Sequence, residues 1–268
     1  MTEQSQEQPQ NFAPAPIEEA NTGIKGVEAK VLFEEAKQQE LLAQVNQWFQ
    51  EKKDSFPKAG LSLLVPRYAS DGAQAPSLSR ANGTVFSRLE GAADVNSDIE
   101  IPESLIELFN AVIDDSARDP DLSRADTLFV LERTGVRNTH PEDNEFHVDT
   151  KQIYWDENGE RIGYDPKRSK PAYMIFVGRP GTLVVHQTLD SSLSQQQANS
   201  LTRDYMLNTI DGTVVANNGV PMPKVSQLMP NSIYKVAVGD IPHSPPLHDD
   251  GLLITVRFNT DDSLFKLK

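Results

Sequence analysis

The sequence of 268 residues contains no cysteine. Disulfide bonds, thiolate-bound metals, iron–sulfur clusters and cysteine nucleophiles are therefore excluded from its chemistry. Any metal ion would have to bind to histidine, aspartate or glutamate side chains.

Long apolar stretches are also missing. The first ten residues carry no basic segment followed by an apolar run, which is the pattern of a secretory signal. No later segment has the roughly 20 consecutive apolar residues that a membrane-spanning helix needs. We therefore expect a soluble, cytoplasmic protein with no membrane partner.

Basic residues are scarce relative to acidic ones, with 25 lysines and arginines against 39 aspartates and glutamates and a formal net charge of -14. Nucleic-acid binding needs clustered basic side chains that neutralise phosphates and release counterions. The charge balance argues against a nucleic-acid partner, and its simplest consequence is solubility.

The composition changes along the chain and predicts its organisation. Residues 1–26 are rich in glutamine, glutamate, proline and alanine and hold few large apolar side chains, which predicts a disordered polar tail. The remaining residues, 27–268, suffice for a single domain. Within it we expect helical N-terminal support at 27–120 and a strand-rich core at 121–268.

Hydrophobic periodicity predicts the elements of that domain. Apolar residues recur at helical spacing within 27–56 and within 102–117, and a third helix is predicted at 192–207. After residue 120 the apolar runs are short, β-branched or aromatic, and bounded by glycine, proline or aspartate, as strands are. Helices followed by many short strands indicate an α+β chain with a barrel or sandwich. The predicted strands are 127–131, 172–177, 182–185, 233–238 and 252–256.

Histidines are the candidate metal ligands, and one of them lies in a strand-like context. The five histidines are His140, His147, His186, His243 and His248. Three of these have an acidic residue two positions later, a pairing that also arises by chance in an acidic chain. Only His147 and Asp149 lie in an alternating, half-apolar segment, and a strand would point both side chains to one face. His140 and His248 lie in polar, loop-like segments, where we expect surface positions.

A second histidine and an arginine occur later in the chain. His243 follows an apolar strand and a Gly-Asp turn. Together with His147 and Asp149 it would form a two-histidine, one-carboxylate site, which leaves three positions on iron(II) open. Arg257 lies near the end of the last predicted strand, where an interior arginine needs an anionic partner and its planar fork suits a carboxylate.

The ordered set His147-x-Asp149, then His243, then Arg257 resembles the 2-oxoglutarate- and Fe(II)-dependent oxygenase superfamily over about 127–258. The resemblance implies a double-stranded β-helix, a jelly-roll or cupin-like barrel, with N-terminal and flanking helices. It implies that His147, Asp149 and His243 bind Fe(II). Arg257 would bind the distal carboxylate of 2-oxoglutarate, the co-substrate, which is oxidatively decarboxylated to succinate and carbon dioxide.

The resemblance also implies a reaction type and leaves the substrate open. We expect molecular oxygen to be used to hydroxylate a small-molecule or amino-acid-like substrate. Halogenating relatives replace the carboxylate ligand with a small residue, whereas Asp149 is present here. Substrate selection would lie in 68–93, 156–170 and 208–230, which contain no known binding motif. The oligomeric state is not predicted.

Each candidate residue has a structural alternative. His147 and Asp149 would also suit a hydrogen-bonded surface pair. His243 would suit a turn before Ser-Pro-Pro. Arg257 would suit a salt bridge to one of the many acidic residues. His186 alternates with a valine, and we expect it to line the core rather than to contact substrate.

Two alternative functions also stay open. One is a cupin-type metal enzyme that does not use 2-oxoglutarate, in which His186 or His248 would join the metal and Arg257 would be structural. The other is a non-catalytic barrel that acts as a binding or scaffold module, with the helix at 31–49 as its partner surface.

Overall fold

The structure is a computed structural model that describes part of the chain. The described residues are 15–16, 24–56, 61–65, 99–120, 122, 126–135, 146–149, 154–155, 161–163, 171–190, 192–202, 205–208, 213–216, 224–246 and 248–259.

Three α-helices are present among the described residues: α1 (Glu35–Lys52), α2 (Glu103–Ala117) and α3 (Gln195–Thr202). A 3-10 turn, Lys53–Ser55, follows α1. Helix α1 is amphipathic, since its buried apolar residues recur at three- and four-residue intervals. None of these helices is long and apolar enough to cross a membrane.

The third helix is shorter than the sequence pattern predicted. It ends at Thr202, and Tyr205–Asn208 forms a strand paired with Thr213–Ala216. The prediction of helix to residue 207 was therefore wrong. An Asp-Gly pair between the two strands favours a hairpin, and cross-strand pairing outweighs local helical periodicity here.

A six-stranded antiparallel sheet has the order β2-β12-β7-β14-β4-β3. Of its two edge strands, β2 lies within 27–56, where the periodicity predicted a helix, whereas β3 lies after that segment, where a short apolar run favours a strand. The strands are β2 (Val27–Lys30), β3 (Leu61–Val65), β4 (Asp126–Arg133), β7 (Ala172–Val177), β12 (Ser232–Val236) and β14 (Leu252–Asn259).

A four-stranded sheet with the order β1-β11-β8-β13 packs against it through a shared cluster of buried apolar side chains. Its strand pairs are antiparallel except β1 with β11. Two short antiparallel pairs, β5-β6 and β9-β10, form separate two-stranded sheets. The remaining strands are β1 (Ala15–Pro16), β5 (Tyr154–Trp155), β6 (Arg161–Gly163), β8 (Thr182–Val185), β9 (Tyr205–Asn208), β10 (Thr213–Ala216), β11 (Val225–Gln227) and β13 (His243–Pro246).

Apolar side chains cover both faces of the six-stranded sheet. On β14, Leu252 and Ile254 pack into one cluster with α1 and α2, whereas Leu253 packs into a second cluster with Val184 of β8. This alternation follows from the two-residue period of a strand. The six-stranded sheet is therefore a central layer, with α1 and α2 on one side and the four-stranded sheet on the other.

The predicted α+β class is confirmed in its coarse form, since the described residues form mainly antiparallel sheets with few helices. Ile24 is buried in the inter-sheet cluster with Ile241, two residues before the predicted end of the tail. The division into a tail at 1–26 and a domain at 27–268 stays a prediction.

Candidate metal centre

Two histidines face each other across the edge of the four-stranded sheet. The backbone N–H of each, His147 and His243, donates to the carbonyl oxygen of the other at 2.9 Å. Such an exchanged pair is the antiparallel ladder pattern, which puts both side chains on one face. The ring centroids lie 4.6 Å apart. Asp149, two residues after His147, shares that face, and its backbone N–H donates to the Val238 carbonyl oxygen at 2.8 Å.

The donor atoms of these three side chains converge. The Nε2 atoms of His147 and His243 lie 3.7 and 3.6 Å from Asp149 Oδ1. All three ligand atoms lie within 4.8 Å of one another. An octahedral ion with ligand distances of about 2.1 Å holds neighbouring donors about 3 Å apart. Small side-chain rotations would therefore close the set around one ion.

The tautomer of His243 suits metal binding. Its Nδ1 lies 3.0 Å from the Ile241 carbonyl oxygen. A carbonyl only accepts hydrogen bonds, so Nδ1 carries the proton, and in the neutral ring Nε2 presents a lone pair toward Asp149. Two acceptors that face each other are stabilised when a cation or a proton lies between them. The residues present therefore fit a cation.

The cluster is buried on one side and open on the other. The side chains of His243 and Asp149 are 4% and 10% exposed, whereas that of His147 is 42% exposed. Burial raises the pKa of Asp149, but the Arg257 guanidinium, together with the two histidines when their rings are protonated, outweighs burial and holds that pKa well below its ordinary value. Asp149 is thus a charged ligand at neutral pH, and small molecules would approach past His147.

Arg257 pairs with the carboxylate of the cluster. Its Nη2 lies 3.3 Å from Asp149 Oδ2. Among the described residues no hydrogen-bond acceptor meets its buried Nε. The salt bridge weighed from the sequence is therefore present, with Asp149 as the acid. The binding of a co-substrate carboxylate by Arg257 stays a prediction.

The other described histidines lie outside this cluster. His248 is exposed, and its Nε2 lies 3.5 Å from the Gln227 amide nitrogen. The Nε2 of His186 lies 2.7 Å from the Ser226 hydroxyl, and burial together with nearby Lys224 lowers the pKa of His186. His140 falls outside the described residues.

Two parts of the site were missed from the sequence. One is the support from the backbone carbonyls of Val238 and Ile241, which any residue type would offer and which therefore leave no sequence signal. The other is the identity of the acid beside Arg257. Three segments were predicted to select the substrate. Of these, all of 68–93, most of 156–170, and 209–212 and 217–223 of the third lie outside the described residues.

No family model matches the chain, and no curated protein matches it. It is similar to solved structures. One is a prolyl-4-hydroxylase from Pseudomonas putida, 12% identical, covering 88% of this chain and 93% of that one with a TM-score of 0.34. Another is HygX from Streptomyces hygroscopicus with nickel and 2-oxoglutarate bound, 8% identical, with coverages of 90% and 85% and a TM-score of 0.41. A third is a bsmA homolog from Methylobium petroleophilum, 10% identical, with coverages of 84% and 86% and a TM-score of 0.34.

The resemblance inferred from the sequence is confirmed in its central feature, a His-Asp-His cluster that could hold a metal ion. Its donor set and open side are consistent with the predicted Fe(II) and 2-oxoglutarate.

Proposed function

We propose that the protein is a 2-oxoglutarate- and Fe(II)-dependent dioxygenase. It would hydroxylate a small-molecule or amino-acid-like substrate and release succinate and carbon dioxide. The observation that carries the proposal is the convergence of His147, Asp149 and His243, whose ligand atoms lie within 4.8 Å of one another. Two histidines and one carboxylate leave three positions open on a six-coordinate iron.

The strand connectivity supports a double-stranded β-helix, the fold expected for such an enzyme. From β4 onward the chain passes repeatedly between the sheets: β4 and β7 lie in the larger sheet, β8 and β11 in the smaller one, β12 in the larger, β13 in the smaller and β14 in the larger. His147 extends the smaller sheet through its bridge to β13. Two antiparallel sheets joined in this way are typical of jelly rolls and cupins.

The ligands are held by parts of the chain that are themselves buried. Val238 and Ile241, whose carbonyl oxygens bond Asp149 and His243, are both fully buried. His243 and Asp149 are therefore oriented before any ion binds, as effective metal sites require. When bound, Fe(II) with 2-oxoglutarate and oxygen supplies the oxidising power. The exposed ring of His147 borders the side from which substrate would enter.

Metal and co-substrate binding test the proposal directly. We expect the anaerobic protein to bind one Fe(II) and one 2-oxoglutarate and to develop a weak visible charge-transfer band. His147→Ala should abolish the band, and His248→Ala, outside the cluster, should retain it. A band that survives His147→Ala would remove His147 from the metal. Absence of stoichiometric iron in the wild type would favour the scaffold alternative.

The product tests the reaction type. With Asp149 present as a ligand, we expect oxygen to be installed, most simply as a hydroxyl group, and no halide to be transferred. Mass spectrometry under labelled oxygen would detect the incorporated atom. A chlorinated product at high chloride, with Asp149 intact, would contradict the proposal. A cytoplasmic location and the absence of nucleic-acid and membrane partners stay predictions.

A cupin-type metal enzyme without 2-oxoglutarate is the second candidate, and one observation favours it. Arg257 already has an anionic partner, Asp149, so its charge does not by itself require a co-substrate. Neither His186 nor His248 joins the cluster, which removes the additional ligands that this candidate would use. Succinate formation during substrate turnover would separate the two candidates.

A further inference from the structure

The two carboxylate oxygens of Asp149 face different partners. Oδ1 lies 3.7 and 3.6 Å from the Nε2 atoms of His147 and His243. Oδ2 lies 3.3 Å from Nη2 of Arg257. The Asp149 side chain is only 10% exposed, so few water molecules compete for either oxygen. Oδ1 is thus placed to coordinate an ion, and Oδ2 is held by the arginine.

This division decides how many positions Asp149 would occupy on a metal. A carboxylate with both oxygens free can chelate an ion through both of them. On a six-coordinate iron, one oxygen from Asp149 and two histidine nitrogens leave three positions, enough for a chelating keto acid and one oxygen molecule. A chelating Asp149 would leave two positions, and one reactant would be excluded.

We propose that Arg257 is a positioning residue for Asp149, which it keeps as a one-oxygen ligand by holding Oδ2. This inference rests on the proposed function and adds to it, because the resemblance implied only that Arg257 binds the co-substrate. The two roles are compatible. Nη2 holds Asp149, whereas the buried Nε has no acceptor among the described residues and stays available to a second carboxylate.

Arg257 would influence a metal in two opposing ways. Its positive charge repels a cation, so loss of the charge strengthens metal binding. Its contact with Oδ2 orients the ligand, so loss of the contact weakens metal binding. Arg257→Lys keeps the positive charge, but it loses the planar guanidinium and its side chain is shorter. The metal affinity of this variant therefore reports how well the Asp149 carboxylate is oriented. Arg257→Met loses both the charge and the contact, so the two effects on metal affinity oppose each other. For this variant only the coordination geometry of the bound metal tests the inference.

The experiment is an anaerobic titration with Co(II) alone, without 2-oxoglutarate, followed by visible absorption. We expect Arg257→Lys to bind Co(II) about 10- to 100-fold more weakly than the wild type, as for other residues that orient metal ligands. The Co(II) spectra of Arg257→Lys and Arg257→Met should both differ from that of the wild type, because a released Asp149 changes the coordination. Circular dichroism verifies that each variant is folded.

Arg133 offers a matched control. It lies on β4 beside β14, its side chain is 28% exposed against 30% for Arg257, and it pairs with Asp250 at 2.5 Å. Arg133→Lys makes the same change in a similar ion pair outside the cluster, and we expect wild-type Co(II) affinity and spectrum.

The outcomes separate this inference from the proposed function. Wild-type affinity and spectrum in both Arg257 variants would overturn the inference, even if their 2-oxoglutarate binding is weakened. An effect of equal size in Arg133→Lys would also overturn it. A wild type that binds no Co(II) and no Fe(II) would overturn the proposed function, and the inference with it.

Discussion

His243→Ala is the sharpest test of the site, because it separates the metal ligand from the fold that carries it. The His243 side chain is 4% exposed, and its Nδ1–H donates to the Ile241 carbonyl oxygen. Truncation in such a buried position costs about 2–5 kcal/mol of unfolding free energy, within which the lost hydrogen bond contributes about 1 kcal/mol. The paired bonds to His147 are main-chain bonds and remain. Since the unfolding free energy of a typical domain is about 5–15 kcal/mol, we expect His243→Ala to be less stable but still folded.

The increase in stability that a bound metal ion causes distinguishes the loss of a metal ligand from a general destabilisation of the fold. An ion at 100 times its dissociation constant stabilises the folded wild type by about 2.7 kcal/mol. For a domain of this size that raises the Tm by about 5–10 °C, at roughly 2–4 °C per kcal/mol. We expect this rise when Mn(II) or anaerobic Fe(II) is added to the wild type. His243→Ala has lost one of three donors and should show almost none.

His248→Ala is the control for the same measurement. His248 is exposed and lies outside the cluster, so its removal should change the unfolding free energy by less than about 0.5 kcal/mol. Its metal-dependent rise in Tm should equal that of the wild type. A full rise in His243→Ala, or its loss in His248→Ala, would refute the assignment of His243 as the distal ligand.

Three further predictions concern the supporting structure. Tyr173→Phe should lower the unfolding free energy in urea by about 1.5–3 kcal/mol, because the Tyr173 hydroxyl donates to ionised Asp115 at 2.5 Å; an unchanged midpoint would contradict this. Burial raises the pKa of Asp115, but Tyr173 and Lys30 outweigh burial and lower that pKa. The ionised Asp115 therefore stabilises the fold above about pH 4, and this stabilisation is lost as the pH falls through the folded pKa. Asp115→Asn should flatten the acid side of the curve of stability against pH, and an unchanged slope would disprove the prediction. Gly181→Ala should cost about 1–3 kcal/mol, because the added Cβ would lie 2.5 Å from the buried Phe176 ring; urea denaturation with no loss would show that the ring can move.

Local periodicity explains which half of the site could be predicted from the sequence. His147 and Asp149 are two residues apart, so an extended backbone suffices to point both to one face. The pairing of His147 with His243 depends on the register between distant segments, and register is set by the packing of a whole sheet. Pattern alone therefore identified both histidines but could not show that their backbones pair.

The element boundaries illustrate the same limit. The apolar pattern from residue 27 predicted an amphipathic helix, yet Val27–Lys30 pairs with β12 and α1 begins at Glu35. A four-residue segment has little intrinsic preference for helix or strand, and an available sheet edge decides its conformation. Helix α1, which follows, is rich in glutamine and glutamate and poor in residues that favour strands. It was predictable because it is long and its apolar residues recur at helical spacing.

Asp149 connects the stability of the fold to the proposed chemistry. Its backbone N–H is held by Val238, Oδ1 faces His147 and His243, and Oδ2 faces Arg257. Apart from His147, which lies in the same segment as Asp149, these contacts come from the segment after β12, from β13 and from β14. The position of the carboxylate therefore results from how these three parts of the chain pack. A substitution that shifts any of them should therefore weaken metal binding without touching a ligand. The partner of Arg257 depends on the same packing. The sequence alone could therefore not show which of the 39 acidic residues pairs with Arg257.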